Sequence, residues 1–285
     1  MRSLPLIVRH ALLACFALSA PSAAFSQLEF PAASPLTTLQ QRVGLTDIEL
    51  TYSRPSMKER EVFGELVPYG EVWRTGANAP TKMTFSTPVV LEGTEVPAGT
   101  YALFTIPGEH EWTIILSGQT DLWGAMGYDP AQDVARFEVP VLVLEQPVET
   151  FTIGFDALRD ESALLYLDWA TTRAAIDLEV EYVDDLAKDI AEFMASEAER
   201  KPYLQAARFY MDHGFDTEKA LDWVQSALEQ NPNAYWARYL EAQVLAKLGR
   251  TSEALEAARA SMAGAAEQGN PDYVKLNEDL IASLE

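Results

Sequence analysis

The hydrophobic pattern changes period once along this chain, at Tyr182, and that single change limits it to a β portion followed by an α portion. From Asp47 to Tyr182 apolar residues recur at every second position. Ile48, Leu50 and Tyr52 alternate with Glu49, Thr51 and Ser53; Phe151, Ile153 and Phe155 alternate with Thr152 and Gly154; Ile176, Leu178 and Val180 alternate with Asp177, Glu179 and Glu181. A period of two marks strands with one face buried. Turn signals separate the runs at Pro97-Ala98-Gly99, Pro107-Gly108, Asp129-Pro130 and Ala170-Thr171-Thr172. Eight or nine short strands with no helix between them predict an antiparallel β-sandwich, with a barrel as the alternative. Val134–Leu144 and Leu164–Trp169 are apolar on both faces, so both are expected to be central strands.

After Tyr182 the spacing becomes helical. Val183, Leu186, Ala187, Ile190, Phe193 and Met194 form one apolar stripe on a charged helix that Pro202 is expected to end. Ala220-Leu221 and Ala254-Leu255 then repeat 34 residues apart, each shortly after a glycine, Gly214 or Gly249. That is tetratricopeptide-like spacing, although Pro271 arrives later in the second copy than Pro232 does in the first. Two copies are fewer than a solenoid of this kind needs to stand alone, so the tail is expected to dock on the β domain or on another molecule. The expected division is a signal peptide at 1–26, a linker at 27–46, a β-sandwich at 47–182 and helices at 183–285.

The first 26 residues carry Arg2 and Arg9, a short apolar run from Ala11 to Ala20, and Ala24-Phe25-Ser26 before Gln27. This is the layout of a cleaved secretory signal, and the apolar run is too short to span a bilayer. It implies a periplasmic or extracellular protein with no stable membrane span. Leu12-Leu13-Ala14-Cys15 is only a faint lipoprotein signal, because it lies very early and Leu13 is large for its position. Cleavage would remove Cys15, the single cysteine, and with it disulfides, thiolate metal sites and cysteine nucleophiles. It also removes two basic residues and no acidic one, leaving 19 basic against 43 acidic, a net charge of −24. A surface so negative repels nucleic acid and anionic lipid, and neither is expected as a partner.

Three stretches are distinctive: Tyr52-Ser53-Arg54-Pro55-Ser56-Met57-Lys58-Glu59-Arg60, Phe63-Gly64-Glu65-Leu66-Val67-Pro68-Tyr69-Gly70, and Val72-Trp73-Arg74-Thr75-Gly76-Ala77-Asn78. Together with Pro97-Ala98-Gly99-Thr100-Tyr101-Ala102-Leu103-Phe104, Trp112-Thr113-Ile114-Ile115 and Trp123-Gly124, they resemble the family called domain of unknown function 2911. Its members are exported bacterial proteins, often followed by helical repeats. The resemblance runs from about Ser34 to Val180. It implies a β-rich exported domain and marks Arg54–Asn78 as the family's signature, but brings no activity with it.

Catalytic templates are missing: no G-x-S-x-G elbow, no H-E-x-x-H, no P-loop and no dinucleotide-binding glycine pattern. His110 sits in a hairpin turn and His213 beside a helix-ending glycine, both read as solvated. No catalytic residue, metal ligand set or cofactor is therefore assigned. The sharpest chemical signal is cationic. Five of the nine basic residues between Ser34 and Val180, namely Arg54, Lys58, Arg60, Arg74 and Lys82, fall within 29 positions of an otherwise acidic domain. Such an island suits a carboxylate, sulfate or phosphate. Trp73 could add a stacking face, and Asn78 and Tyr101 neutral hydrogen bonds, as a carbohydrate or peptide ligand uses. The competing structural reading pairs these bases with Glu59, Glu61, Glu65 and Glu71. A second segment, Asp121–Asp133, has oxygen ligands at short spacing that could hold calcium, but it reads better as a turn packed under the sandwich by Trp123 and Tyr128.

These residues favour a binding or protein-interaction and assembly role, with an anionic or carbohydrate ligand on the β domain and a protein partner on the helices. The alternative is an extracytoplasmic hydrolase of a polymer or anionic ester, with Asp or Glu as acid and base and arginines stabilising charge.

Overall fold

The computed structural model describes residues 30–285. The expected signal peptide, its cleavage point and Cys15 lie outside the described residues. Nine strands and then six helices follow in chain order: β1 Leu36–Val43, β2 Thr46–Ser53, β3 Ala77–Phe85, β4 Val89–Leu91, β5 Thr94–Val96, β6 Gly99–Pro107, β7 Glu111–Ser117, β8 Asp133–Asp156 and β9 Ser162–Val180, then α1 Val183–Ala195, α2 Tyr203–Asp212, α3 Thr217–Gln230, α4 Tyr235–Lys247, α5 Thr251–Glu267 and α6 Pro271–Leu284. Among the described residues no helix is long and apolar enough to cross a membrane.

Every strand pairing is antiparallel, in the order β1-β2-β3-β6-β7-β8-β9-β4-β5. The sheet stays open, with β1 and β5 at its edges. It doubles over on itself through β8. The first third of that strand pairs with β7, Trp112 opposite Val139, and the rest pairs with β9, Ile153 opposite Leu167. One core cluster accordingly joins the inner faces of both halves, with Ile48, Leu50, Met83, Leu103 and Ile114 meeting Phe151, Leu165, Trp169, Ile176 and Leu178. The alternation read in the sequence is this inward–outward alternation.

Four expectations are corrected. Leu36–Val43, placed in the linker, forms β1 and pairs with β2 along all eight residues. Its Thr and Gln residues hide the strand, because an edge strand needs backbone pairing but little apolar burial. Val141–Leu144, read as central, extends past Pro140 beyond the reach of β7, and Leu142 and Val143 are exposed. Ala170-Thr171-Thr172 is no chain turn. β9 runs through it with a bulge at Ala170, whose φ is +52°. Helix α1 stops at Ala195, well short of Pro202, where Ser196 Oγ donates to Phe193 O at 2.7 Å and competes with the helical ladder.

The helices bury a second cluster that shares no residue with the first. Alanines 206, 207, 220, 237, 242, 254 and 258 are almost wholly buried, which lets helix backbones approach closely. Helix α4 closes in a left-handed turn at Gly249, whose N–H donates to Ala246 O while Arg250 N–H donates to Leu245 O. Helix α5, at 17 residues against 14 for α3, accounts for three of the five residues by which Pro271 is late, and the longer connection after it for the other two.

Candidate functional site

The connection from Arg54 to Gly76, between β2 and β3, closes one end of the doubled sheet. It touches β8 where Ser56 bridges Thr150 and β6 where Trp73 bridges Thr105. It also sends Val62, Phe63, Val67 and Trp73 into the core. Phe63 sits edge-on to Trp112 and Trp169, with ring centroids 4.9 and 6.0 Å away.

Where this connection crosses, it leaves a concavity of about 490 Å³ with Trp73 and Trp169 among its lining residues and Lys58, Arg60, Glu71 and Arg74 around them. Its volume lies within the range that small-molecule sites occupy. Four of the seven residues singled out from the sequence therefore meet: Lys58, Arg60, Trp73 and Arg74. The other three serve elsewhere. Arg54 ties the connection to β8, Nε donating to Phe151 O at 3.0 Å and Nη2 to Thr152 Oγ1 at 2.6 Å. Asn78 Nδ2 donates to Ser53 Oγ at 3.1 Å. Tyr101 is buried, and its hydroxyl donates to Pro97 O at 2.8 Å. Lys82 is not among the lining residues and meets Asp121 at 3.5 Å.

Arg74 is held from both sides. Trp73 exchanges two backbone hydrogen bonds with Thr105, at 2.7 and 2.9 Å, and Thr81 N–H donates to Arg74 O at 3.2 Å. Gly76 follows at φ +142°, where a β-carbon would lie 2.9 Å from Ser53 O, so only glycine fits. Thus fixed, the half-buried Arg74 side chain makes no ion pair among the described residues, and its Nε is buried without a hydrogen-bond partner. Burial lowers the guanidinium from the usual arginine value. A desolvated cation with a free donor needs an acceptor.

Lys58 and Arg60 sit in a four-residue turn, Met57 to Arg60, closed by Arg60 N–H to Met57 O at 3.1 Å. Both central residues have positive φ, +48° at Lys58 and +62° at Glu59, and neither is glycine. Two side chains hold the turn. Glu149 Oε1 accepts from Lys58 N–H at 3.0 Å, and the Arg60 guanidinium donates to Met57 O and Ser56 O at 2.8 and 2.7 Å. None of Glu59, Glu61, Glu65 and Glu71 forms an ion pair with Arg54, Lys58, Arg60 or Arg74. The neutralising network that the glutamates would have formed is not there.

Residues 34–178 match the model of the family described as Protein of unknown function (DUF2911). The chain belongs to that family. No curated protein and no solved structure matches the chain. The matched span begins at Ser34, on the rim of the concavity, and ends within β9. Apart from Ala33 it contains every residue lining the concavity, and it includes none of the helices. The matched span of this chain thus covers the doubled sheet together with the basic hollow.

The Asp121–Asp133 segment divides its carboxylates among separate tasks. Asp121 faces Lys82, Asp129 Oδ1 caps the short 3-10 turn by accepting from Ala131 N–H at 3.0 Å, and Asp133 accepts from the Tyr128 hydroxyl at 2.7 Å. The segment packs Leu122, Ala125 and Tyr128 over Ala102, Phe104 and Ile115 on the outer face of β6 and β7. Trp123, by contrast, is 68% exposed. The expectation that Trp123 and Tyr128 together pack the turn under the sandwich is thus corrected: Tyr128 packs and Trp123 does not.

Proposed function

We propose that this chain is an extracytoplasmic binding protein whose β domain seats a small anionic ligand in the concavity of Lys58, Arg60 and Arg74. Its tetratricopeptide-like tail would engage a protein partner. The observation that carries the reading is Arg74, a half-buried guanidinium that lines the hollow and forms no ion pair among the described residues. A carboxylate, sulfate or phosphate oxygen would supply the missing acceptor, and a charge-assisted bond of that kind contributes about 1.5–3 kcal/mol. The signal-like first 26 residues support the extracytoplasmic setting.

Hydrolysis is the weaker reading, because acid–base cleavage needs two carboxylates around the scissile bond. Glu71 is the one carboxylate among the residues that line the concavity.

The test is calorimetric titration of the purified protein with sulfate, phosphate and a dicarboxylate at two salt concentrations. Binding that weakens with salt and is lost in Arg74→Met, while Arg259→Ala in the tail behaves as wild type, supports the reading. If Arg74→Met changes melting temperature but leaves every affinity intact, Arg74 is structural and the site is withdrawn.

A further inference from the structure

Beside its cations, the concavity has a wall whose backbone donors are absent or taken. Pro55 and Pro68 line it and have no backbone N–H. Leu66 and Val67 line it too, and their N–H groups go to Glu61 O at 3.3 Å and Val62 O at 2.8 Å. The two tryptophans of the lining are no more generous, since each gives its indole N–H to a backbone carbonyl, Trp73 to Gly76 O and Trp169 to Glu149 O.

One apolar side chain of this wall stands in water. Leu66 is 40% exposed and belongs to none of the core clusters. Its turn is not loose. Val62, Phe63 and Val67 around it are buried, Phe63 bridges Val67, and Gly64 N–H donates to Val67 O at 2.9 Å. An anchored turn thus holds out a leucine whose surface a ligand would remove from water.

The charged residues of the lining are Lys58, Arg60, Glu71 and Arg74. Arg60 is occupied with Met57 O and Ser56 O, whereas Lys58 and Arg74 form no ion pair among the described residues. A sugar or a peptide carries acceptors along its whole length, and a wall without donors leaves them unpaired. A bare inorganic anion leaves Leu66 uncovered and fills little of about 490 Å³. A hydrocarbon chain ending in one anionic group uses both the cations and the wall. Glu71 repels a second negative charge, so the single charge of a carboxylate suits the head better than the double charge of a phosphate ester.

We infer that the ligand of this site is an aliphatic carboxylate of the fatty-acid class, its head on Arg74 and Lys58 and its chain along Pro55, Leu66 and Pro68. The inference rests on the anion site proposed above and narrows it to one chemical class.

The experiment titrates the purified full chain with butanoate, hexanoate, octanoate, uncharged 1-octanol and sulfate. In wild type, affinity rises about two- to fourfold for each added methylene, and octanoate binds more tightly than either sulfate or 1-octanol. Leu66→Ser, at an exposed position outside the core, lowers the octanoate-to-sulfate affinity ratio about tenfold. Leu276→Ser, at an exposed leucine of α6, leaves that ratio as in wild type. If sulfate binds in an Arg74-dependent manner while affinity stays flat from butanoate to octanoate, or Leu66→Ser keeps the wild-type ratio, the anion site stands and the fatty-acid assignment is overturned. The chain-length series on wild type decides this even where a variant folds poorly. A wild type that binds neither sulfate nor octanoate, or an Arg74→Met chain that binds both as wild type does, overturns both.

Discussion

Trp73 and Trp169 lie face to face beneath the concavity, their ring centroids 5.8 Å apart and their planes inclined by 18°. They come from distant parts of the chain, one from the β2–β3 connection and the other from β9. Each indole N–H is satisfied by a backbone carbonyl, Trp73 by Gly76 O at 3.1 Å and Trp169 by Glu149 O at 3.2 Å. Glu149 also holds the turn that carries Lys58, since its backbone carbonyl accepts from Met57 N–H at 2.8 Å. The stacked pair therefore welds the cationic rim to the core, and the rigidity of the site depends on it.

Removing one partner should be severe. Trp169 is 2% exposed, and truncating it opens a cavity among Phe63, Trp73 and Phe151. Trp169→Ala is expected to lower stability by about 3–5 kcal/mol. Urea denaturation measures the loss, and a cost below about 1 kcal/mol would mean that the pair is not packed as described.

The turn at the rim gives a prediction of the opposite sign. Glu59, exposed at φ +62°, occupies a left-handed conformation that costs a non-glycine residue about 1–2 kcal/mol. Glu59→Gly removes that cost and returns about half of it through the greater freedom of glycine in the unfolded chain. A net gain of about 0.5 kcal/mol is expected. Arg60→Ala releases Met57 O and Ser56 O and should cost about 1 kcal/mol, a small value because the guanidinium is exposed. Midpoints moving in opposite directions in the same denaturant series would bear out the strained, clasped turn; shifts of the same sign would refute it.

The residues show why part of this was legible in the sequence and part was not. Ile48, Leu50 and Tyr52 announced a strand because their burial is periodic, and the same holds for Ile176, Leu178 and Val180. Leu36–Val43 did not, since an edge strand satisfies its backbone against one neighbour and leaves alternate side chains in water. Val141–Leu144 misled because apolar character on both faces is shared by a central strand and by a hairpin arm reaching past the sheet. At the site, the clustering of basic residues in the chain was visible, but its outcome was not. Arg54 and Arg74 are alike in sequence, yet one is consumed by Phe151 O and Thr152 Oγ1 and the other lines the concavity without an ion pair. Side-chain identity gives the charge, whereas the register of a distant strand decides which charge is spent.

The tail yields a cleaner backbone test. Gly249 holds φ +73°, and a β-carbon there would meet nothing within 4 Å. Gly249→Ala therefore changes only the left-handed closure of α4 and should cost about 1 kcal/mol. Because the helical cluster shares no residue with the sheet's core, the loss should show in the helical circular-dichroism melt and, in a background where the helical Trp223 and Trp236 are replaced by phenylalanine, leave the remaining tryptophan fluorescence unmoved below that melt. A simultaneous shift in both signals would mean that the two cores unfold as one unit.

Tyr128 makes stability depend on alkaline pH in a way that one substitution isolates. Its hydroxyl donates to Asp133 Oδ2 at 2.7 Å while its ring packs on Phe104, with centroids 5.2 Å apart. Burial first, and then the hydrogen bond and negative charge of Asp133, push its ionisation up to about 12, with Arg136 opposing weakly. The folded chain thus keeps this proton through a range in which the unfolded chain, ionising near 10, releases it. A group raised in the folded state stabilises fully below its unfolded value, and that contribution fades as pH climbs toward the folded value. The stability difference between wild type and Tyr128→Phe should therefore be constant up to about pH 10 and shrink between about pH 10 and 12. Other tyrosines titrate in both proteins and cancel in that difference. Denaturation midpoints of the two proteins across this window provide the measurement, and a difference that stays flat to pH 12 would show that the Tyr128–Asp133 bond does not hold the proton.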